Sequence, residues 1–356
     1  HLKQVVLELG GKAPLILCTE ILRSSREKED ERQLRRLQKL DALIEERPAL
    51  VAAARDTLAA EEPQRDIGDH CNQPFPCSFQ AYCGKDLPQE PEWPTSLLPD
   101  LAGKKVAAEW AGRGINDLTC LPLDAMPTPK LWRIHEATLS GQPWHDAQAI
   151  LAETQDWAWP RLFLDFETIQ FAIPRWVGTI PYEQVPFQFS AHVQAEDRSV
   201  THHAYLSIDG SDPRRACAQA LVALPNAGSI IAWNASFERG CIRALARQFG
   251  DLAPALDAMA DRVVDLLPVV RCHYYHRDMR GSWSIKAVLP TIAPDLAYDG
   301  LDGVANGTDA QLAYFEAISP ACTAKRRAEI EAELLVYCAL DTEAIMILLD
   351  RLASHP

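Results

Sequence analysis

The alternation of apolar and polar positions changes character near Trp157. Downstream, Leu162–Phe166, Val185–Val193 and Val200–Leu206 are short apolar runs bounded by turn-forming residues, and each predicts a strand. A helical pattern over 212–224 follows, then a buried strand at Ser229–Trp233, a helix over 236–249 and a long closing helix over 323–352. Three strands in series, then alternating helix and strand, predict an α/β domain: a mixed sheet flanked by helices, preceded by a smaller, mostly helical region.

Upstream the pattern is weaker. Val5–Leu9 and Leu15–Cys18, separated by Gly10-Gly11, predict a strand pair or the tail of a domain. Leu34, Leu37, Leu40, Leu43 and Ile44 recur at helical spacing within 21–60, and Pro48 is expected to divide that stretch into two helices. Residues 67–84 are compact and rich in cysteine, and the prolines from Pro88 to Pro99 predict a linker. The expected organisation is four parts: a strand and helical region at 1–66, the cysteine element and linker at 67–100, a small helical adaptor at 101–156, and the α/β domain at 157–356.

Composition changes this picture little. With 47% hydrophobic and 24% charged residues among 356, the chain reads as an ordinary globular protein of two or three domains. No apolar run approaches the ~20 residues of a membrane-spanning helix, and no secretory leader pattern is visible, so a cytoplasmic protein without a membrane partner is expected. The start at His1 leaves room for a longer parent chain. A net charge of −14 disfavours nucleic-acid binding through overall charge but leaves local basic grooves open.

Candidate chemistry begins with Asp165 and Glu167. Alternate strand residues share a face, so both carboxylates project together from an apolar strand. Burying them is costly without a cationic partner, and a divalent metal is one solution; an edge strand facing water is the other. In the closing helix, Asp341 falls on the apolar seam of Ile330, Leu334, Tyr337, Ile345 and Leu348, where a solvated aspartate does not belong. Tyr337 and Asp341, at i and i+4, can present hydroxyl and carboxylate together. Glu238 follows turn-forming Asn234 in a first helical turn, a position that the helix dipole alone also favours. Asp265, after Val263-Val264, is a reserve carboxylate.

Arg239, Arg243 and Arg247 form a stripe at i, i+4 and i+8, and Arg271, Arg277, Arg280 and Lys286 cluster among Tyr274, Tyr275 and Trp283. Cations beside aromatics suit a single-stranded nucleic acid, although surface arginines around core aromatics explain the same pattern. Lys286, Arg239 and Arg243 are the candidate nucleic-acid contacts. Cys71, Cys77 and Cys83 suggest metal ligation, whereas Cys217, Cys241, Cys272, Cys322 and Cys338 are read as buried reduced thiols. Three thiolates fall one short of an iron–sulfur cubane; zinc with His70 or Cys18 as fourth ligand competes.

D-x-E on a first strand, an acid after a strand-to-helix turn and Y-x-x-x-D on a late helix together resemble the DEDD exonucleases. More closely, LFLDFET, IIAWNASFE, GSWSIKAVLP and YCALDTEA resemble an uncharacterised bacterial family of predicted RNase H-like nucleases, whose HC-x-x-P-x-x-C-x-F-x-x-Y-C element matches His70–Cys83. The resemblance runs from residue 67 onward. It implies an RNase H-like sheet and a 3′–5′ exonuclease acting on single-stranded DNA or RNA. Asp165, Glu167, Glu238 and Asp341 would hold two Mg²⁺ or Mn²⁺ ions, and Tyr337 would orient the attacking water. The cysteine element resembles the C-terminal part of the iron–sulfur site of RecB-like nucleases, whose fourth cysteine lies upstream, so residues 1–66 would be the remnant of such a domain. DEDD enzymes usually carry Asp where this chain has Glu238, a departure that supports the first of two alternatives. One is an inactive RNase H-like nucleic-acid-binding module; the other is a phosphoesterase of small nucleotides.

Overall fold

The computed structural model describes residues 44–62, 67–71, 77–85, 90–296, 303–304 and 306–354. The strand pair expected at Val5–Leu9 and Leu15–Cys18, the leucine periodicity from Leu34 to Leu43 and Cys18 lie outside these residues. The chain divides into two compact units, His1–Gln89 and Glu90–Pro356.

In the first unit a helix covers 44–59 and continues through Pro48, where a break was expected. Proline removes one backbone donor, and this helix is exposed, so water can satisfy the carbonyl that loses its partner. A 3₁₀ turn at Asp69–Cys71 and one helical turn at Gln80–Cys83 carry the cysteines.

The second unit is organised around one sheet. Its strands are β2 (Arg161–Ile169), β3 (Val185–Gln194), β4 (Val200–Leu206), β5 (Ile230–Ala232) and β6 (Val263–Asp265), after a two-residue β1 (Trp144–His145). The spatial order is β4-β3-β2-β5-β6, antiparallel among the first three and parallel from β2 through β5 to β6. It is the mixed sheet expected from three strands in series followed by helix–strand alternation. A short ribbon pairs β1 with β7 (Tyr274–Tyr275).

Helices cover both sides. On one lie α4 (Arg214–Val222), α5 (Ala235–Gln248) and α6 (Ala253–Asp261). They meet Leu162, Leu164, Phe166, Phe189, Ala191 and Val193 in a wholly apolar core. On the other lies the long α10 (Ala324–Ser354), packed across β2 and β3. Around it are α7 (Leu266–His273), α8 (Ile285–Ile292) and α9 (Gly307–Ala317). The strand period of two separates these partners: even positions of β2 face α4 to α6, and Phe163 and Ile169 face the side of α10.

Residues 101–156 supply α1 (Asp100–Ala111), α2 (Pro129–Ser140) and α3 (Ala147–Thr154), whose Val106, Leu131, Ile134 and Ile150 join the same core as α10. The segment expected to be a linker is, from Glu90 on, built into this unit. Leu98 is 2% exposed, Pro94 bridges Asp117, and Trp93 lies under Arg277 and Arg280. Its prolines suggested a spacer, but Trp93 and Leu98 bring enough apolar surface to be buried.

Two local features set the strand ends near the carboxylates. Gly228 has φ +83°, and a Cβ there would meet the Pro160 carbonyl oxygen at 1.8 Å; only glycine lets the chain ahead of β5 approach β2 this closely. Asn234, at φ 82°, turns the chain from β5 into α5, in the left-handed region that asparagine tolerates better than most residues.

Candidate metal centre

Asp165 lies mid-strand on β2 and Glu167 one pleat further along the same face. Across from them, the helical period places Tyr337, Cys338, Asp341 and Ile345 on the buried side of α10. One carboxylate oxygen each from Asp165, Glu167 and Asp341 lies within 4.8 Å of the others, so residues 176 positions apart share one pocket. Glu167 and Asp341 are buried, and Asp165 is partly so.

Their electrostatics follow from this crowding. Burial, then the charges of Asp341, Glu167 and Glu238, hold the Asp165 carboxyl well above the ordinary carboxylate range. Burial and Asp341 push Glu167 up to about 8, with Lys286 pulling the other way. Like charges in a low-dielectric pocket favour protonation or a bound cation. Hard carboxylate oxygens are donors for Mg²⁺ or Mn²⁺ rather than for a soft metal.

Glu238 lies outside the tight set of three, near enough to Asp165 for its charge to raise that carboxyl. It is 2% exposed, and burial followed by the charge of Asp265 raises it to about 8. Its Oε2 is buried without a hydrogen-bond partner. An orphaned carboxylate oxygen beside three crowded acids is an acceptor left for a cation, so the donor set fits a divalent metal. Asp265 is occupied differently: its Oδ1 accepts from the backbone N–H groups of Asn234 and Leu267, both at 3.1 Å, and so caps α7.

Tyr337 is hydrogen-bonded to Asp341, the pairing expected from their i, i+4 spacing. Burial and the charges of Asp341, Glu167 and Asp165 raise its phenol far above the usual value, so the hydroxyl keeps its proton. Lys286 lies in the first turn of α8, which Ser284 caps. Its Nζ is 3.4 Å from the Tyr337 hydroxyl and 4.9 Å from the centre of its ring. Trp233, just past β5, donates to the Trp283 carbonyl at 3.0 Å and ties this loop to the sheet. Lys286 is therefore the cation of the pocket among the candidate nucleic-acid contacts.

The other two are engaged elsewhere. Arg239 donates to the carbonyls of Ala260 and Val263, at the end of α6 and in β6, and Arg243 pairs with Asp261 at 3.3 Å on the surface. The aromatics expected to stack on bases are core residues: Tyr274, Tyr275 and Trp283 are all buried. Bulk and aromaticity serve packing as well as stacking, and here packing takes them.

Sequence reasoning missed two neighbours of the acids. Cys338 was expected only as a buried thiol, yet its Sγ is 3.9 Å from Asp165 Oδ2; its place three residues before Asp341 on the same seam was the available signal. The start of α9 also reaches the pocket, with the Cβ position of Gly307 3.8 Å from Glu167 Oε2. Of the remaining cysteines expected to be buried, Cys272, in the last turn of α7, is exposed and Cys322 is half-buried.

Among the described residues, no other three His, Cys, Asp or Glu side chains gather their ligand atoms as closely as these acids. Cys71 is buried and Cys77 and Cys83 are exposed, and their thiols do not form such a group. The Cys77 N–H donates to the Cys71 carbonyl at 2.8 Å. The assembled donor set in the described residues is the carboxylate one. Among those residues no helix is long and apolar enough to cross a membrane.

A family model described as a domain of unknown function (DUF2779) matches residues 162–284. The matched stretch carries Asp165, Glu167 and Glu238 and ends before Lys286, Tyr337 and Asp341. No curated protein and no solved structure matches the chain.

Proposed function

We propose that the chain is a metal-dependent nuclease of the RNase H-like, DEDD type, cleaving single-stranded DNA or RNA from the 3′ end. One observation carries the reading: Asp165 and Glu167 on β2 and Asp341 on α10 crowd their oxygens within 4.8 Å. Glu238, whose charge raises Asp165, has an Oε2 buried without a hydrogen-bond partner. The sheet order and the order of the motifs along the chain agree with the resemblance of the sequence to that class.

In this reading Asp165, Glu167 and Asp341 hold Mg²⁺ or Mn²⁺, with Glu238 supplying a further oxygen. A bound pair of ions supplies a nucleophilic water at neutral pH and charge neutralisation at the leaving oxygen. The chain's own residues do the rest. Tyr337, whose one hydroxyl proton goes to Asp341, accepts a hydrogen bond from the attacking water through its oxygen and so orients it. Lys286 places a positive charge at the mouth of an acidic pocket, where a phosphate would otherwise be repelled. Cys338 and the apolar seam of α10 keep bulk water from the floor of the site.

The position of Glu238 outside the tight set favours a second reading, an RNase H-like module that binds nucleic acid without cleaving it. One experiment separates the two. Labelled single- and double-stranded DNA and RNA are incubated with the protein and with Asp165→Asn, in Mg²⁺, Mn²⁺ or EDTA. Metal-dependent laddering that the variant lacks supports the nuclease; binding without cleavage supports the module. The iron–sulfur or zinc expectation for Cys71, Cys77 and Cys83 is a separate proposal. Iron and sulfide against zinc analysis of anaerobically purified protein decides it.

A further inference from the structure

The face of β3 that meets α10 is not apolar. Gln188, Ser190, His192 and Gln194 occupy four successive alternate positions and all bond to the helix or reach toward it. Gln188 Nε2 donates to the Leu334 carbonyl at 2.7 Å, and Gln194 Nε2 to Asp350 Oδ2 at 3.0 Å. Between them, both remaining residues converge on one hydroxyl. Thr342 Oγ1 is 2.9 Å from Ser190 Oγ and 2.8 Å from His192 Nδ1. It also donates within its own helix to the Ala339 carbonyl at 3.0 Å. Ser190 in turn is 2.9 Å from Nε2 of His202 on β4.

One arrangement of protons satisfies every partner. His202 Nε2–H donates to Ser190, Ser190 to Thr342, and Thr342 to the Ala339 carbonyl, while His192 Nδ1–H fills the second lone pair of Thr342. Burial keeps His192 neutral, near a pKa of about 4, consistent with a single ring N–H. Thr342 is fully buried, so breaking any of these bonds strands a polar atom in the interior.

The position of this hub matters more than its strength. Ser190 is the register partner of Asp165 across β2 and β3, and Thr342 is the residue after Asp341. The bonds therefore tie the helix to the sheet at the level of the acids. Such a tie suits Asp341, because whenever the crowded carboxyls ionise, Asp165 and Glu167 repel it and with it α10. The apolar seam of α10 resists separation but is non-directional, and tolerates small slides and rotations. Hydrogen bonds of 2.8–2.9 Å do not.

We propose that Thr342 is a positioning residue: its bonds to Ser190 and His192 fix the rotation and register of α10, and so hold Asp341 in place for the metal. The role rests on the metal reading for its consequence, while the lock itself is a property of the protein alone.

The test uses the full chain and Mn²⁺ alone, titrated calorimetrically, with amide hydrogen exchange read across 338–343. Thr342→Val keeps the shape and removes the hydroxyl. It should weaken Mn²⁺ binding by about tenfold or more, the scale of lost outer-shell support, and speed exchange in that segment. Thr342→Ser should restore both to within about threefold. Ser190→Ala, which leaves α10 untouched, should weaken binding in the same direction and decides the matter if the valine variant does not fold. Wild-type binding and exchange in Thr342→Val, or equal damage in Thr342→Ser, would overturn the lock. Mn²⁺ binding that is absent in the wild type, or survives Asp165→Asn, would sink the metal reading instead; the exchange comparison still judges the lock.

Discussion

The two faces of β2 have opposite characters. Leu162, Leu164 and Phe166 meet α4, α5 and α6 in an apolar cluster. One pleat away, Asp165 and Glu167 meet Asp341 and Tyr337 of α10, and the adjoining face of β3 adds Gln188, Ser190, His192 and Gln194. The first face supplies stability cheaply, because apolar burial asks nothing of direction. The second spends stability on crowded charges and can keep them only because hydrogen bonds and the first face hold the frame. On the proposed function, the contrast is the expected division between a folding surface and a working one.

The comparison can be broken most severely at Asp165. Asp165→Asn should cost at least about 100-fold in Mn²⁺ affinity and metal-dependent cleavage, since even indirect ligand support is worth 10–100-fold. The same change should raise the melting temperature of metal-free protein, because the buried Asp165 must take up a proton to avoid a like charge and Asn need not. A lower melting temperature with activity intact would reverse the assignment of the two faces.

Leu164→Ala makes the complementary cut. It should destabilise by about 2–5 kcal/mol in denaturant unfolding, while the Mn²⁺ affinity of the folded fraction stays unchanged. A lost metal site with little loss of stability would show that the dry face is not independent of the wet one.

The pH dependence is a milder probe. Glu167 and Glu238 are both raised to about 8 in the folded protein, from an ordinary value of 4.5. The folded state therefore holds protons that the unfolded state has released, and this contribution to stability is full below pH 4.5. It is lost as pH rises through about 8, with a slope of up to about 1.4 kcal/mol per pH unit for each proton. Metal-free protein should melt progressively lower across that window, and saturating Mn²⁺ should flatten the fall. A metal-free melting temperature that rises with pH would contradict the burial of these acids.

Lys286→Met is the smallest perturbation. Removing the positive charge should move the titration of Glu167 upward, and with it the pH at which Mn²⁺ binding is half-maximal. Substrate affinity should fall, with a shallower dependence on salt. Binding measured at three pH values and two salt concentrations would reveal either shift.

Much of this was legible in the order of residues. The period-two pattern around Asp165 and Glu167 placed both on one face, and the helical period put Asp341 on an apolar seam where charge is costly. The Gln188-Ser190-His192-Gln194 alternation was equally visible, but nothing local says that a helix 150 residues later will cover it. The stripe of Arg239 and Arg243 failed for the opposite reason: its spacing is local, but its partners, Ala260, Val263 and Asp261, come from the next helix and strand. Tyr274, Tyr275 and Trp283 were ambiguous because aromatic rings suit a core as well as a base.

Periodicity and side-chain chemistry, both short-range properties, were enough to define β2 to β5, the long helix and the type of ligand oxygen on offer. Which acids meet, which arginines are already engaged and which polar strand face is roofed over by α10 were settled only when distant segments packed. Those outcomes depend on contacts between residues far apart along the chain, and the chain encodes them through a whole core rather than through any one motif.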